Sequence, residues 1–281
     1  MQLDLVDVFC SSAMSGNPLG VVRDAQGLDE AQMLALTQWL GFSETTFLLP
    51  PASPEADYAV RIFYPAGELP FAGHPTLGSC HAWLKAGGRP KHKGVVVQEC
   101  GVGLVEIKLD GGQMAFKAPP LTRSGPLDER EMAEAIRVTG ADPASVVEGV
   151  HVANGPNWQL LRLKSAADVL AAEPGAKAPV GTDIGLAGSI ADSLGADWEL
   201  RAFFANQHGA IVEDPVTGSF NAGVAMHLFE SGLAKGSYTA AQGRKTGADG
   251  RIQLTQDADG SVWVGGNCTT IARGAELPAL D

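Results

Sequence analysis

Nothing in this chain approaches the roughly eighteen consecutive apolar residues that a membrane-spanning helix requires, and nowhere do Lys and Arg gather into a block. The opening residues, MQLDLVDVFC, lack the basic stretch and the long apolar core of a secretory signal, so the expectation is a soluble, cytoplasmic protein with no membrane partner. The four cysteines, Cys10, Cys80, Cys100 and Cys268, are scattered without Cys-x-x-Cys or Cys/His ligand spacing. That excludes a recognisable zinc site or disulfide framework and predicts reduced thiols. A formal net charge of -12 repels a phosphate backbone and argues against a nucleic-acid partner. It leaves a small anionic substrate open, because a local cluster of N–H donors holds an anion even inside an acidic protein.

What is present is ample apolar sequence: 281 residues, 45% hydrophobic and 19% charged, the length of one large domain or two ordinary ones. An internal repeat favours two. Glu68/Glu213, Pro70/Pro215, Gly73/Gly218, Gly78/Gly223 and Gly87/Gly232 recur at an offset of 145 residues. In the first half, short strand signals (LDLVDVF, LGVV, TTFLLP, YAVRIFYP, GVVVQEC, LVEIKL, QMAF) surround two helical stretches. One runs from Asp29 to Leu40 and is stopped by Gly41; the other is opened by Pro75 and closed by Gly87. The second half replays this pattern. It has a helix at DEREMAEAIRVTG, strands in GVHVANGPNWQLLRLKS, a helix around Leu186 to Leu194, the strand WELRAFFANQ and an apolar helix ending at Gly232. The strands YTAAQG, GRIQLTQDADGSVWVGG and CTTIARG close the chain. The Ala-rich SAADVLAAEPGAKAP reads as a surface helix and loop. The Pro- and Gly-bearing loop Pro120 to Glu131 is the expected link, which divides the chain into domains 1–124 and 125–281; the last strand is a candidate to complete the first domain.

In both copies a Pro/Gly turn leads into a helix that is apolar or small nearly all round, TLGSCHAWL and AGVAMHLF. A helix without a polar face belongs inside a fold, so each copy is expected to be a strand shell around a central helix whose N-terminus opens at the mouth. Free backbone N–H groups there bind anions, and Gly73, Thr76, Gly78, Gly218, Ser219 and Gly223 would let a carboxylate come close. Two such mouths would make one cleft. Each candidate also has a plainer reading. Pro then Gly before a helix is ordinary capping, His74 can cap or pack, and Asp214 can be a helix-cap acid. Glu44, between the helix stop at Gly41 and TTFLL, is either a solvated turn residue or a partly desolvated acid/base.

VDVFCSSAMSGNPLGVV, GFSETTFLL, RIFYPAGELPFAGHPTLG and EDPVTGSFNAG together resemble the PhzF-like family, named for a phenazine-biosynthesis isomerase and related to diaminopimelate epimerase. The resemblance runs nearly end to end. It implies an α+β fold of two pseudo-symmetric domains, each a barrel-like sheet around a central helix, with the active site between them, and it suggests a homodimer. It further implies cofactor-independent isomerisation or epimerisation of a small carboxylate-bearing molecule. Glu44 falls on the general acid/base, His74 and Asp214 on residues that assist it, and Gly73, Gly218 and Ser219 on the helix starts that bind the substrate carboxylate. The cysteine pair of diaminopimelate epimerase and proline racemase is replaced here by Gly73 and Gly218; Cys80 lies deeper in its helix and reads as a buried small hydrophobe. Phe220 stands where the phenazine isomerase has a small residue, so the pocket is expected to be shaped for another substrate. Asn17 and Pro18 resemble a turn motif near the cleft, and Gln242 and Gly243 a late motif after which Arg244 touches either substrate or solvent. The remaining histidines, His81, His92, His151, His208 and His227, show no metal-binding spacing and are expected to be solvated or packed. The rival readings are a catalytically silent small-molecule-binding protein on the same fold and a racemase that uses Cys80.

Overall fold

The structure, a computed structural model, describes residues 1–191 and 195–279. In chain order the elements are β1 (Gln2–Val8), β2 (Asn17–Arg23), α1 (Glu30–Leu40), β3 (Thr45–Leu49), β4 (Tyr58–Tyr64), β5 (Gly67–Leu69), α2 (Gly73–Lys85), β6 (Val95–Cys100), β7 (Gly103–Asp110) and β8 (Gln113–Lys117). Then follow β9 (Arg123–Pro126), α3 (Glu129–Thr139), β10 (Val146–Ala153), β11 (Gln159–Leu163), α4 (Ala166–Ala171), β12 (Asp183–Ser189), β13 (Trp198–Ala205) and β14 (Ile211–Asp214). The last are α5 (Gly218–Glu230), β15 (Ser237–Gln242), β16 (Gly250–Gln256), β17 (Val262–Gly266) and β18 (Cys268–Glu276). The chain forms two compact units, residues 1–117 with 265–281, and residues 118–264.

In the first unit the ladders run β18–β1–β2–β3–β4–β6–β7–β8, with the short β5 added to β4; β2/β3 and β4/β6 are parallel and the rest antiparallel. The 13-residue α2 touches β1, β2, β3, β6, β8 and β18, strands from one end of that order to the other, so the sheet curls around it. Gly78 makes this approach possible, since a methyl group there would lie 2.4 Å from Leu19 Cδ2. A second core lies on the outer face, where α1 brings Met33 and Leu36 against Phe47 and Phe63. With both faces covered, β3 is buried on successive residues rather than alternately, which explains its unbroken apolar run.

The second unit repeats the pattern as β9–β10–β11–β12–β13–β15–β16, with β14 added to β13 and with β11/β12 and β13/β15 parallel. Its central helix α5 also has 13 residues and packs on β10 and β16, which are distant in the order. Its outer core sets Val169 of α4 and Val138 of α3 against Leu161, Leu186 and Phe203. The duplication extends to single contacts. Arg61 of β4 pairs with Glu68 and lies over Phe63, and Arg201 of β13 pairs with Glu213 and lies over Phe203.

The structure corrects three expectations. The stretch around Leu186 is strand β12 up to Ser189, not helix; residues 192–194 of that segment lie outside the described residues. The loop Pro120 to Glu131 contains the edge strand β9, paired with β10. The second helix begins at Gly73, so Pro75 sits inside its first turn, where a missing N–H costs nothing.

Candidate active site

The helix ends separate two kinds of helix. α1 and α3 carry capping boxes, Asp29 with Gln32 and Asp128 with Glu131, and end in left-handed Gly41 and Gly140. These devices satisfy the first N–H groups. α2 and α5 have no side-chain cap, although they are buried along most of their length. Their first amides are therefore available at Gly73 and Gly218, the arrangement that attracts negative charge.

At the start of α2, His74 is the second helical residue and is buried. Glu44 stands immediately before β3, its side chain 18% exposed, and its Oε2 lies 3.5 Å from His74 Nδ1. β3 is tied to α2 by a 2.9 Å hydrogen bond between the hydroxyls of Ser79 and Thr46. Thr46 is two residues beyond Glu44, so strand alternation turns both toward the helix. Burial lowers the His74 pKa to about 3, leaving a neutral imidazole near pH 7. The contact with Glu44 is thus not an ion pair. His74 Nε2 is buried and accepts or donates no hydrogen bond among the described residues. Thr76 is also buried here; its hydroxyl donates to Ala72 O at 2.9 Å and accepts from Gln98 Nε2 at 3.1 Å.

At the start of α5, Asp214 Oδ2 accepts from Thr217 Oγ1 at 2.6 Å. Gln242, wholly buried, clamps this turn: its Nε2 donates to Asp214 O and Thr217 Oγ1, both at 3.0 Å, and its Oε1 accepts from Thr217 N at 3.1 Å and Asn221 Nδ2 at 2.8 Å. Ser219 is anchored by Trp158 Nε1, which donates to its Oγ at 2.9 Å, and by Asn154 Nδ2, which donates to its carbonyl at 2.9 Å. The structure thus groups Glu44, His74, Gly73 and Thr76 in the first unit, and Asp214, Gly218 and Ser219 in the second.

Gln242, Thr217 and Asn221 form a polar clamp that motif reading underweighted; a buried Gln at a strand end after an apolar run was the available signal. Phe220 is wholly buried, packs on Trp158 with centroids 5.1 Å apart, and fills the space over Gly185, where a methyl group would lie 2.2 Å from Phe220 Cζ. Arg244 is partly exposed, and its Nε lies 3.4 Å from Oε2 of the wholly buried Glu199. Burial pushes the Glu199 carboxyl up to about 7, opposed by Arg244, Arg251 and Arg201 and reinforced by Asp249. Asn17 is the buried first residue of β2, paired with Val8. Cys80 is wholly buried and desolvation raises its pKa well above that of a reactive thiol. His81, His151 and His227 bond to Thr270, Glu131 and Glu148. No group of three or more His, Cys, Asp or Glu among the described residues could hold a metal ion, and no helix there is long and apolar enough to cross a membrane.

Two curled sheets of one topology, each around an uncapped central helix, define the fold class: the two-domain α+β diaminopimelate epimerase-like fold. The chain belongs to the family described as phenazine biosynthesis-like protein (PhzC-PhzF), which it matches over residues 6–274. It is 31% identical over 286 residues to the trans-2,3-dihydro-3-hydroxyanthranilate isomerase of Pseudomonas chlororaphis, covering 96% of this chain and 97% of that one. It is 32% identical over 288 residues to "Antisense-enhancing sequence 1" of Schizosaccharomyces pombe, covering 96% of each. A crystal structure of a Bacillus anthracis PhzF-family protein superposes with a TM-score of 0.82 over 99% of both chains at 21% identity. The chain is a PhzF-like isomerase.

Proposed function

We propose that this protein moves a proton between carbons of a small carboxylate-bearing metabolite by general acid/base catalysis, without metal or organic cofactor. Glu44 is the acid/base, with His74 and Asp214 as its partners, and Gly73, Thr76, Gly218 and Ser219 belong to the substrate-binding helix starts. The observation that carries this reading is the Glu44–His74 pair: a partly buried carboxylate 3.5 Å from a buried, neutral imidazole at an uncapped helix start.

The chemistry follows from these groups. With Glu44 ionised, the neutral ring orients its Nδ1–H toward the carboxylate, and Nε2 is left to accept a hydroxyl or ammonium proton of the substrate. The neutral ring lies 3.5 Å from Glu44 without forming an ion pair with it. The C–H proton passes to Glu44, and the negative charge that develops on the substrate is stabilised by the N–H groups opening α2 and α5. Because the donors are backbone groups of rigid helices, they need no reorganisation as the charge appears. Thr217 fixes the carboxylate of Asp214, and Gln242 its main-chain carbonyl, in the turn before α5.

The test uses trans-2,3-dihydro-3-hydroxyanthranilate, the substrate in the name of the Pseudomonas relative, and then a panel of small amino and hydroxy carboxylates. Conversion by the wild type, with Glu44→Gln folded, binding and inactive, is the expected result. Binding without conversion in both would instead favour the silent binding protein. The PhzF-like resemblance is also what supports a homodimer, which sedimentation velocity tests; fractionation tests a cytoplasmic location.

A further inference from the structure

The duplication identifies a residue that motif matching passes over. In the first unit, Phe47 of β3 lies opposite Arg61 and Thr45 opposite Phe63. In the second, Leu186 of β12 lies opposite Arg201 and Ile184 opposite Phe203. Arg61 and Arg201 are counterparts, each paired with its glutamate and stacked over the phenylalanine two residues on. Register therefore equates Thr45 with Ile184, and the residue before each is an acid: Glu44 in one unit, Asp183 in the other.

The surroundings correspond as well. Asp183 and Gly185 are two apart on β12 and share a face, and that face looks onto α5, because Gly185 lies directly under Phe220. Asn157 N donates to Asp183 Oδ2 at 3.3 Å. The next residue, Trp158, holds Ser219, which is the second residue of α5 as His74 is of α2. Asp183 thus stands at the end of the unit where α5 begins. Nearby, Asn154 donates to the same serine, and its Oδ1 is buried without a hydrogen-bond partner among the described residues. Asp183 makes no ion pair among the described residues, although it is largely desolvated, and burial raises its pKa to about 6 against the pull of the Asn157 N–H. A carboxyl group desolvated without a counter-ion at a helix mouth is costly for a scaffold and suited to proton transfer.

We propose that Asp183 is a second proton-transfer group of the reaction, the second unit's counterpart of Glu44. This rests on the isomerase reading above. Glu44 takes the proton from one substrate carbon: the C–H bond breaks, an O–H bond forms on Glu44, and the electron pair stays on the substrate. Asp183, protonated, gives its proton to the carbon that receives that pair: its O–H bond breaks and a C–H bond forms. The enzyme is left with Glu44 protonated and Asp183 ionised, and exchange of one proton each with water restores it.

The test compares wild type, Glu44→Gln, Asp183→Asn and Asp183→Glu in deuterated water, with trans-2,3-dihydro-3-hydroxyanthranilate as probe and proton NMR as readout. In Asp183→Asn we expect conversion to fall by about 100-fold or more, while deuterium still enters unconverted probe at the carbon served by Glu44. The limb of the rate–pH profile near pH 6 should vanish with it. Asp183→Glu, which keeps a carboxyl group whatever the fate of the Asn variant, should retain measurable conversion and that limb. Conversion by Asp183→Asn within threefold of wild type overturns the proposal. So does joint loss of conversion and exchange in a folded variant, which would make Asp183 a binding or scaffold group. Those outcomes leave the Glu44 reading intact, whereas no exchange or conversion by the wild type overturns both.

Discussion

Replacing Glu199 by Gln should make the protein's stability respond to pH in a calculable way. Glu199 sits on β13, wholly buried, with neither carboxylate oxygen hydrogen-bonded among the described residues and Arg244 3.4 Å away. Burial lifts its pKa from 4.5 to about 7. A carboxyl group whose folded pKa is raised contributes stability that is fully present below the unfolded value, near 4.5, and is lost as pH rises through 7. A difference of about 2.5 units corresponds to about 3 kcal/mol at 1.36 kcal/mol per unit. Glutamine cannot ionise, so it removes that slope, while any constant packing effect cancels when the two proteins are compared across pH. Urea unfolding of both at pH 4, 6 and 8 should show the variant gaining about 3 kcal/mol on the wild type between the first and last, most of it above pH 5. A difference independent of pH, or one that moves the other way, would refute the argument and mean that Arg244 compensates the buried charge fully.

Two other outcomes follow from the packing and the site. Phe220→Ala should cost about 3–5 kcal/mol by opening a cavity over Gly185, and Gly185→Ala about 1–3 kcal/mol by overpacking against the same ring; the double variant should cost less than the sum, and additive values in a urea series would contradict the contact. The His74 imidazole should remain neutral at pH 5, far below the point where an ordinary histidine is charged, because burial holds its pKa near 3; imidazolium signals at pH 5 in ¹⁵N NMR would contradict it.

The duplication was readable from glycine and proline spacing because tight turns and close helix–strand approaches leave few alternatives: Gly78 admits Leu19, and Gly223 admits the Val152 carbonyl, 2.3 Å from where its methyl would lie. β12 was not readable, for the same physical reason seen from the other side. Its Gly185 makes room for Phe220 and its Gly188 for the Ser165 carbonyl, and those small residues break strand alternation while Leu186 and Ile190 mimic a helical repeat. Misreading that strand hid Asp183, whose relation to Glu44 exists only in ladder register. β9 was hidden by composition: Gly125 and Pro126 suit an exposed edge strand as well as a linker. The chemistry of Glu44 was legible only through the family's motif, since Gly41 and the strand around it fit a solvated turn equally well.

Catalysis turns on one proton. Proton NMR in deuterated water, following trans-2,3-dihydro-3-hydroxyanthranilate and a panel of small amino and hydroxy carboxylates with wild type and Glu44→Gln, tests it most directly. The prediction is deuterium entering one carbon of one of these molecules with the wild type and not with the folded Glu44→Gln variant. Exchange that continues undiminished in Glu44→Gln would contradict the assignment of Glu44 as the group that takes the proton.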